Sequence, residues 1–496
     1  MERLFGGMHS MQVDYSKVKK IYFMGIAGTG MAAVAGMCQQ AGFSVCGSDG
    51  AIYPPMSTML ERLGIKVFTP YDPANLDAEK PDLFVVANAL SRGHKELEAG
   101  LSSGIPYTSF PALLGEHFLK SRVPVVVTGT HGKTTTSTMM SYCLAKLGAE
   151  PGYFIGGAPH DLPSGFEIGK GPFFVLEGDE YDTAFFDKAS KFHHYRPQFL
   201  MINAIEFDHA DIFANLEAVK SEFIRLIRNV SKPEQIIVNA NDEVIRAVCE
   251  DAGIWHKVTK TAPYKATEGA TVTVTRAEAE STSSQKWVVE LTTKSFGKIT
   301  VKSHLAGGYN AANIAQVVAT FDVMKQSGAM KDLTAERLVE TLQSFRGVKR
   351  RLELLASVGG VDIYEDFAHH PTAVEHVIGA MRKTCPGRRL IVAFEPKNAT
   401  GRRNVFENEY VRVFGLADHV FIGECPLDLR IPEDRRMDTF KLAKSIGSQK
   451  ASAFKTNDDL LKTLAEEAKS GDVVIFMSSG SFSGCQHRLK DALATR

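Results

Sequence analysis

The chain has 496 residues, too many for one ordinary hydrophobic core, and this length suggests about three domains. A hydrophobic share of 44% with 23% charged residues describes a soluble globular protein. The 57 basic residues balance 57 acidic ones, so nucleic acid is disfavoured as a bulk electrostatic partner, although a local basic pocket for a small anion is compatible with neutrality. The seven cysteines form no CxxC pair and fall in apolar or mixed segments, as buried free thiols of a reducing compartment do. Residues 1–20 lack an apolar core followed by a small-residue cleavage site, and nowhere do about 18 apolar residues run together. A cytoplasmic protein without membrane association is expected, and the sequence leaves its oligomeric state open.

The first block opens at "KKIYFMGIAGTGMAAVAGMCQQAG", an apolar strand running into Gly28-x-Gly30-x-x-Ala33 and then a helix, with Asp49 at the end of the next strand. Small residues here let backbone N–H groups approach a pyrophosphate, and the acid can accept from a ribose hydroxyl. This pattern alone serves a nicotinamide dinucleotide, a nucleotide-sugar, or simply close helix–strand packing, and all three readings stay open.

The second block opens at "VPVVVTGTHGKTTT". Gly129, Thr130, His131, Gly132, Lys133, Thr134 and Thr135 place backbone N–H groups, an ammonium and a hydroxyl at a helix N-terminus, where the helix dipole also favours anions. Lys133 is expected to reach the terminal phosphates of a nucleoside triphosphate, and Thr134 to ligate Mg²⁺. Val127 stands where a strict Walker loop has its first glycine. Two phosphate loops in consecutive domains argue against a simple dehydrogenase, which needs only the first.

Magnesium calls for hard oxygen ligands, and two later strands of this block end in acids: "VLEGDEYD" with Glu177, Asp179 and Glu180, and "INAIEFDHADIF" with Glu206, Asp208 and His209. In a parallel sheet such ends lie beside the Lys133 loop; the alternative is solvated loop acids. His193 and His194, read as neighbours on a strand, point to opposite faces and are not a metal pair. From about Lys257 to His304 polar and apolar residues alternate with short gaps, which predicts a small antiparallel insertion.

The third block follows "SFRGVKRRLELL" and again alternates strands with helices to the terminus. Three α/β domains result, 1–120, 121–345 and 346–496, the outer two Rossmann-like and the central one a phosphate-loop ATPase.

The segments "GTHGKTT", "EFDH" and "DFAHHPT" together make the chain closely resemble, over essentially its whole length, the Mur ligase superfamily of ATP-dependent amide-forming enzymes of bacterial peptidoglycan synthesis. The resemblance implies Lys133 on the β- and γ-phosphates, Thr134 and Glu177 on one Mg²⁺, and His209 on a second. It implies Asn310 and Asn313 of "GGYNAAN" at the adenine, with Arg351, Asp366 and His370 approaching phosphate and ribose. Tyr309 stands where the family usually has histidine, and Phe223 lies near the position of the carbamylated lysine found in several relatives.

"EYDTAFFDKASKFHHYRP", "FEPKNATGRR" and "MSSGSFSG" resemble the branch that ligates a preformed peptide rather than L-alanine. That implies UDP-N-acetylmuramate on the first domain, with Gly25, Gly28 and Gly30 at its pyrophosphate and Asp49, Asn88 and Ser91 at the nucleoside or sugar. The murein tripeptide L-alanyl-γ-D-glutamyl-meso-diaminopimelate would face Lys397, Asn398, Thr400 and Arg402, with His369 near its amine. Ligation of L-alanine, a nicotinamide oxidoreductase and a non-enzymatic phosphate-loop switch are the competing readings.

Overall fold

The computed structural model describes residues 13–280 and 286–495, so most of the N-terminal segment read for a signal lies outside the described residues. Among the described residues no helix is long and apolar enough to cross a membrane.

The N-terminal sheet has five parallel strands in the order Lys66–Phe68, Ser44–Ser48, Lys20–Met24, Leu83–Val86, Tyr107–Thr108. Lys20–Met24 and Leu83–Val86 are apolar on both faces because helices cover both sides of a parallel sheet. Strand order reverses between these two, opening a crevice at their C-terminal ends where the glycine loop turns into helix Thr29–Gln40.

Ten strands form the central sheet, in the order Gly297–Ser303, Trp287–Thr293, Val272–Ala279, Thr259–Ala262, Ile236–Asn239, Phe199–Ile202, Val123–Thr128, Phe173–Gly178, Gly152–Phe154, Phe166–Glu167. The expected antiparallel segment is present but is not a separate insertion. Thr259–Ala262 runs parallel to Ile236–Asn239, and the antiparallel strands after it continue the same sheet outward. Two helices, Lys133–Lys146 and Gly308–Gln326, are buried nearly all round and carry no single apolar stripe.

The C-terminal sheet has six strands, in the order Glu353–Val358, Val361–Asp366, Val473–Ser478, Leu390–Glu395, His419–Ile422, Ala451–Ala453, of which only the first is antiparallel to its neighbour. The chain enters this unit through 345–352. As far as Lys349 the backbone pairs with the central unit: His160 N–H donates to Gly347 O at 3.2 Å and Lys349 N–H to Ala158 O at 2.9 Å. From Arg350 onward it pairs with the C-terminal unit, Phe367 N–H donating to Arg350 O at 2.9 Å and Leu352 N–H to Asp366 Oδ2 at 2.6 Å. Gly347, Arg350 and Leu352 all have left-handed backbone (φ 104, 61 and 52°), which makes this crossing a tight coil.

One hydrophobic cluster runs without interruption from the N-terminal helix into the central unit, joining Ala33 and Phe110 to Phe154 and Phe166. The C-terminal unit has two clusters of its own.

Candidate active site

Strand Val123–Thr128 lies between Phe173–Gly178 and Phe199–Ile202, so its loop is flanked by the two acid-bearing strand ends. Gly129 and Gly132 are required here: both have positive φ (119 and 79°), and a Cβ would stand 2.6 Å from Ala204 O and from Asn313 Oδ1 respectively. Gly132 also caps helix Lys133–Lys146 without a side chain, leaving the first N–H groups of the helix for a ligand. Thr130 braces the loop, accepting from Glu206 N–H at 2.8 Å and donating to Glu206 O at 3.2 Å.

Lys133 Nζ donates to Glu180 Oε2 at 3.0 Å and to Gly129 O at 2.9 Å, with Asp179 Oδ1 at 3.9 Å. Burial works against its charge, but Glu180, Asp179 and Glu177 outweigh that and hold the ammonium protonated well above its usual range. Burial likewise opposes ionisation of Glu180, yet Lys133 and His209 bring its carboxyl down to about 2. His209 Nε2 lies 3.4 Å from Glu180 Oε1, and the histidine backbone is left-handed at φ 55°. Burial pulls its pKa down, but Glu180 and Asp208 raise it overall.

Thr134 Oγ1 donates to Glu177 Oε2 at 3.1 Å, and Arg351 Nη2 of the C-terminal unit donates to Thr134 Oγ1 at 3.0 Å. Two hard oxygens about 3 Å apart match one edge of an octahedron with 2.0–2.1 Å bonds, which fits Mg²⁺. The carboxyl of Glu177 is raised by burial and by Asp179 despite Gly156 N–H and Arg351, so a bound cation would relieve it. His209 belongs to a separate position, joined to this pair through Lys133 and Glu180.

The C-terminal unit closes over the loop with polar contacts. Thr372 Oγ1 donates to Glu206 Oε2 at 2.7 Å, Thr400 Oγ1 donates to Asp208 Oδ1 at 2.8 Å, and His369 Nε2 stands 3.8 Å from Asp208 Oδ2. Burial opposes both charges, yet His131 with His370 brings Glu206 to about 2, and His369, His209 and Thr400 hold Asp208 far below the usual carboxylate range. Burial keeps His370 neutral, with a pKa of about 4. Asp366, whose carboxyl is raised by burial, is occupied by the N–H groups of Leu352 and Ala368, so it shapes the turn that carries His369 and His370.

Several expected residues are placed in other company. Asn313 donates to Asn310 Oδ1 at 3.1 Å, and Asn310 donates to Ala306 O at 2.7 Å; the pair abuts Gly132. Tyr309 stacks on His376, ring centroids 5.7 Å apart. Asp49 accepts from Ala27 N–H at 2.8 Å and from Tyr71 at 3.1 Å, bracing the glycine loop. Gly25 has φ 83° and no room for a Cβ beside Ala87, Gly28 caps the first helix, and a Cβ at Gly30 would stand 3.3 Å from the Phe110 ring at the seam with the central unit. Asn88 donates to Asp182 O and Oδ1 at 3.1 and 3.2 Å, and Ser91 lies exposed in the turn that follows.

In the C-terminal unit, Asn398 caps its own turn through Gly401 N–H at 3.0 Å and Thr400 is buried against Asp208. Lys397 is half-exposed, 3.8 Å from Glu395, and Arg402 pairs with Asp428 at 3.2 Å.

His193 and His194 occupy a 3₁₀ turn, Lys191–Tyr195, rather than a strand. Each faces its own acid, Glu222 at 2.9 Å and Asp187 at 2.7 Å, so they share no metal. The same turn supplies a residue that sequence reasoning missed. Lys191, 5% exposed, sits 3.7 Å over the Tyr181 ring and 3.4 Å from Asp179 Oδ2, placing a second buried cation across Asp179 from Lys133. Its signal was present in "EYDTAFFDKASKF", which folds as a hairpin, Asp182–Ala184 with Asp187–Ser190, whose tip packs Phe186 on Tyr107 of the N-terminal unit.

Fold and site together define a three-unit phosphate-loop enzyme. Family models match the chain in succession: the Mur ligase family catalytic domain over residues 20–122, the Mur ligase middle domain over 127–321, and the Mur ligase glutamate ligase domain over 350–480. The UDP-N-acetylmuramate–L-alanyl-gamma-D-glutamyl-meso-2,6-diaminoheptandioate ligase of Escherichia coli K12 is 35% identical, covering 96% of this chain and 99% of that one. The UDP-N-acetylmuramate–L-alanine ligase of Methylobacillus flagellatus is 28% identical over 96% of each. Among solved structures, a murein peptide ligase from Psychrobacter arcticus matches with TM-score 0.69 and 30% identity, covering 96% of this chain and 99% of that one. The chain belongs to the Mur ligase family, ATP-dependent amide ligases.

Proposed function

We propose that the protein joins the lactyl carboxylate of UDP-N-acetylmuramate to the amine of L-alanyl-γ-D-glutamyl-meso-diaminopimelate in the cytoplasm, in peptidoglycan recycling, with ATP converted to ADP and phosphate. The observation that carries this reading is the full-length similarity, 35% and 30%, to two ligases whose names state peptide ligation or this tripeptide, against 28% for the alanine ligase.

A carboxylate is a poor electrophile, so its oxygen first attacks the γ-phosphorus and ADP leaves; the tripeptide amine then attacks the acyl carbon and phosphate leaves. Charge neutralisation and in-line positioning carry most of such a transfer. Lys133 supplies a permanent cation at the terminal phosphates, with the N–H groups of the phosphate loop around them. Mg²⁺, held by Thr134 and Glu177 with a second ion at His209, would neutralise the phosphate oxygens. Arg351 brings a guanidinium from the C-terminal unit to the same point. Lys191, across Asp179 from Lys133, is positioned to attract the carboxylate or the acyl phosphate formed from it.

UDP-N-acetylmuramate belongs in the N-terminal crevice, between the glycine loop and the Asn88 strut. The acceptor's carboxylates belong near Lys397 and Arg402, with His369 beside Asp208 at the amine. The test is a side-by-side assay of tripeptide and L-alanine with the unmodified protein, following ADP release. Tripeptide should be strongly preferred, since a pocket spread for several charges cannot close on a methyl group. Equal or faster product from L-alanine would reassign the chain to the alanine-adding branch.

A further inference from the structure

The phosphate loop, the turn after strand Phe199–Ile202 and the start of helix Pro371–Thr384 meet at a second cluster, apart from Thr134, Glu177 and His209. There His131, Glu206 and His370 each offer one ligating atom, all within 4.8 Å of one another. His131 Nε2 lies 3.5 Å and His370 Nδ1 3.4 Å from the same oxygen, Glu206 Oε2. A tetrahedral ion bound at about 2.0–2.2 Å has ligand–ligand edges of about 3.3–3.6 Å. Two edges of the cluster already have that length.

The donor set also selects the ion. Two imidazoles and one carboxylate suit zinc and its first-row neighbours, whereas magnesium prefers oxygen. His131 Nε2 is buried and has no hydrogen-bond partner among the described residues, an arrangement that costs free energy unless something else occupies the nitrogen. Thr372 Oγ1, at 2.7 Å from Glu206 Oε2, already holds the carboxylate as an outer-sphere partner would. Against this stands one contact: Thr372 N–H reaches His370 Nδ1 at 3.4 Å, a long bond that an ion would displace. The side chain of Glu206 is 31% exposed, so the cluster is reached by solvent, which can supply a fourth ligand.

We propose that His131, Glu206 and His370 bind one zinc-class divalent ion, which ties the C-terminal unit to the phosphate loop. The ligands come from both sides of the seam, so an occupied site resists separation of the two units without any nucleotide. The site stands on these residues alone and is independent of which substrates the enzyme ligates.

The experiment titrates the full chain with Co²⁺, in excess Mg²⁺ and without nucleotide, following the visible absorption of a low-coordinate cobalt centre. One equivalent should bind. His131→Ala, Glu206→Gln and His370→Ala should each weaken binding more than about 100-fold, and Thr372→Val should fall within the 10–100-fold typical of outer-sphere partners. His209→Ala should bind as the parent does. In hydrogen exchange, Zn²⁺ should slow residues 129–135 and 367–376 together in the parent and in neither segment of His370→Ala. Melting curves of the metal-free variants identify any that fail to fold; His131→Gln and Thr372→Val then carry the comparison. Undiminished cobalt binding in the His131 and His370 variants, its loss in His209→Ala, or protection of one segment alone would overturn the proposal.

Discussion

Where the N-terminal and central units meet, Gly36 is so close beneath Phe166 that a Cβ would stand 2.4 Å from its ring, and Gly30 faces Phe110 and Phe154. Where the central and C-terminal units meet, the contacts are mostly polar, among them Thr372 to Glu206, Thr400 to Asp208, His369 to Asp208 and Arg351 to Thr134, with separate ring contacts of Tyr309 on His376 and Phe207 on Phe406 and no continuous apolar cluster across the seam among the described residues. The first seam is continuous hydrophobic core, stabilised in proportion to the apolar area removed from water. At the second, each hydrogen bond contributes only about 0.5–1.5 kcal/mol net, because water replaces it when the surfaces part. One seam therefore fixes the N-terminal unit to the central one, and the other is the weaker joint.

The strongest way to break this contrast is to cut the apolar seam. Phe166→Ala should destabilise the protein by about 3–5 kcal/mol, read as a lower urea midpoint; a loss under about 1 kcal/mol would mean that the seam is not shared core. Lys133→Ala should do the reverse, lowering turnover by about 10²–10³ while leaving the melting temperature within a few degrees, because a preorganised charge is lost from the chemistry rather than from packing. Near-normal ligation by that variant would remove the phosphate loop from the mechanism.

Thr400→Val and Thr372→Val sharpen the contrast from the polar side. Each should cost about 0.5–1.5 kcal/mol or less and should raise the ATP concentration needed for half-maximal rate. A collapse in stability comparable to Phe166→Ala would show that both seams are core. The smallest effect is expected from acid. The folded carboxyl of Glu206 is held at about 2, below its ordinary 4.5, so its contribution is complete above the ordinary value and is lost as pH falls from there through 2. Glu206→Gln should flatten that part of the stability curve, and an unchanged acid limb would remove Glu206 from the seam's electrostatics.

The sites that could be read from the sequence are those built from contiguous residues. Gly129 to Thr135 specify their own turn, and apolar strands leading to Glu177 and to the Glu206–Asp208–His209 segment predict acids beside it because a parallel sheet aligns its C-terminal ends. Partnerships made across the fold left no local trace. The pairing of His209 with Glu180, the strut from Asn88 to Asp182 and the capture of Asp49 by Ala27 N–H each depend on register between distant segments. The alternating residues near 272–303 announce antiparallel strands, but period 2 does not say which sheet edge they extend. Lys191 was hidden for a different reason: a lysine reads as solvated by default, and only the hairpin before it folds Tyr181 over its ammonium.

The change of backbone partners between Lys349 and Arg350 has a mechanical consequence. If the C-terminal unit swings about that peptide, each of its groups moves in proportion to its distance from the axis. Arg351 is one residue beyond the axis, so a rotation that sweeps Thr372 and Thr400 clear of Glu206 and Asp208 hardly displaces the guanidinium from Thr134. The short arm remains beside Thr134 and the phosphate loop while the long arm moves away from Glu206 and Asp208, so the two ends of this seam part to very different extents.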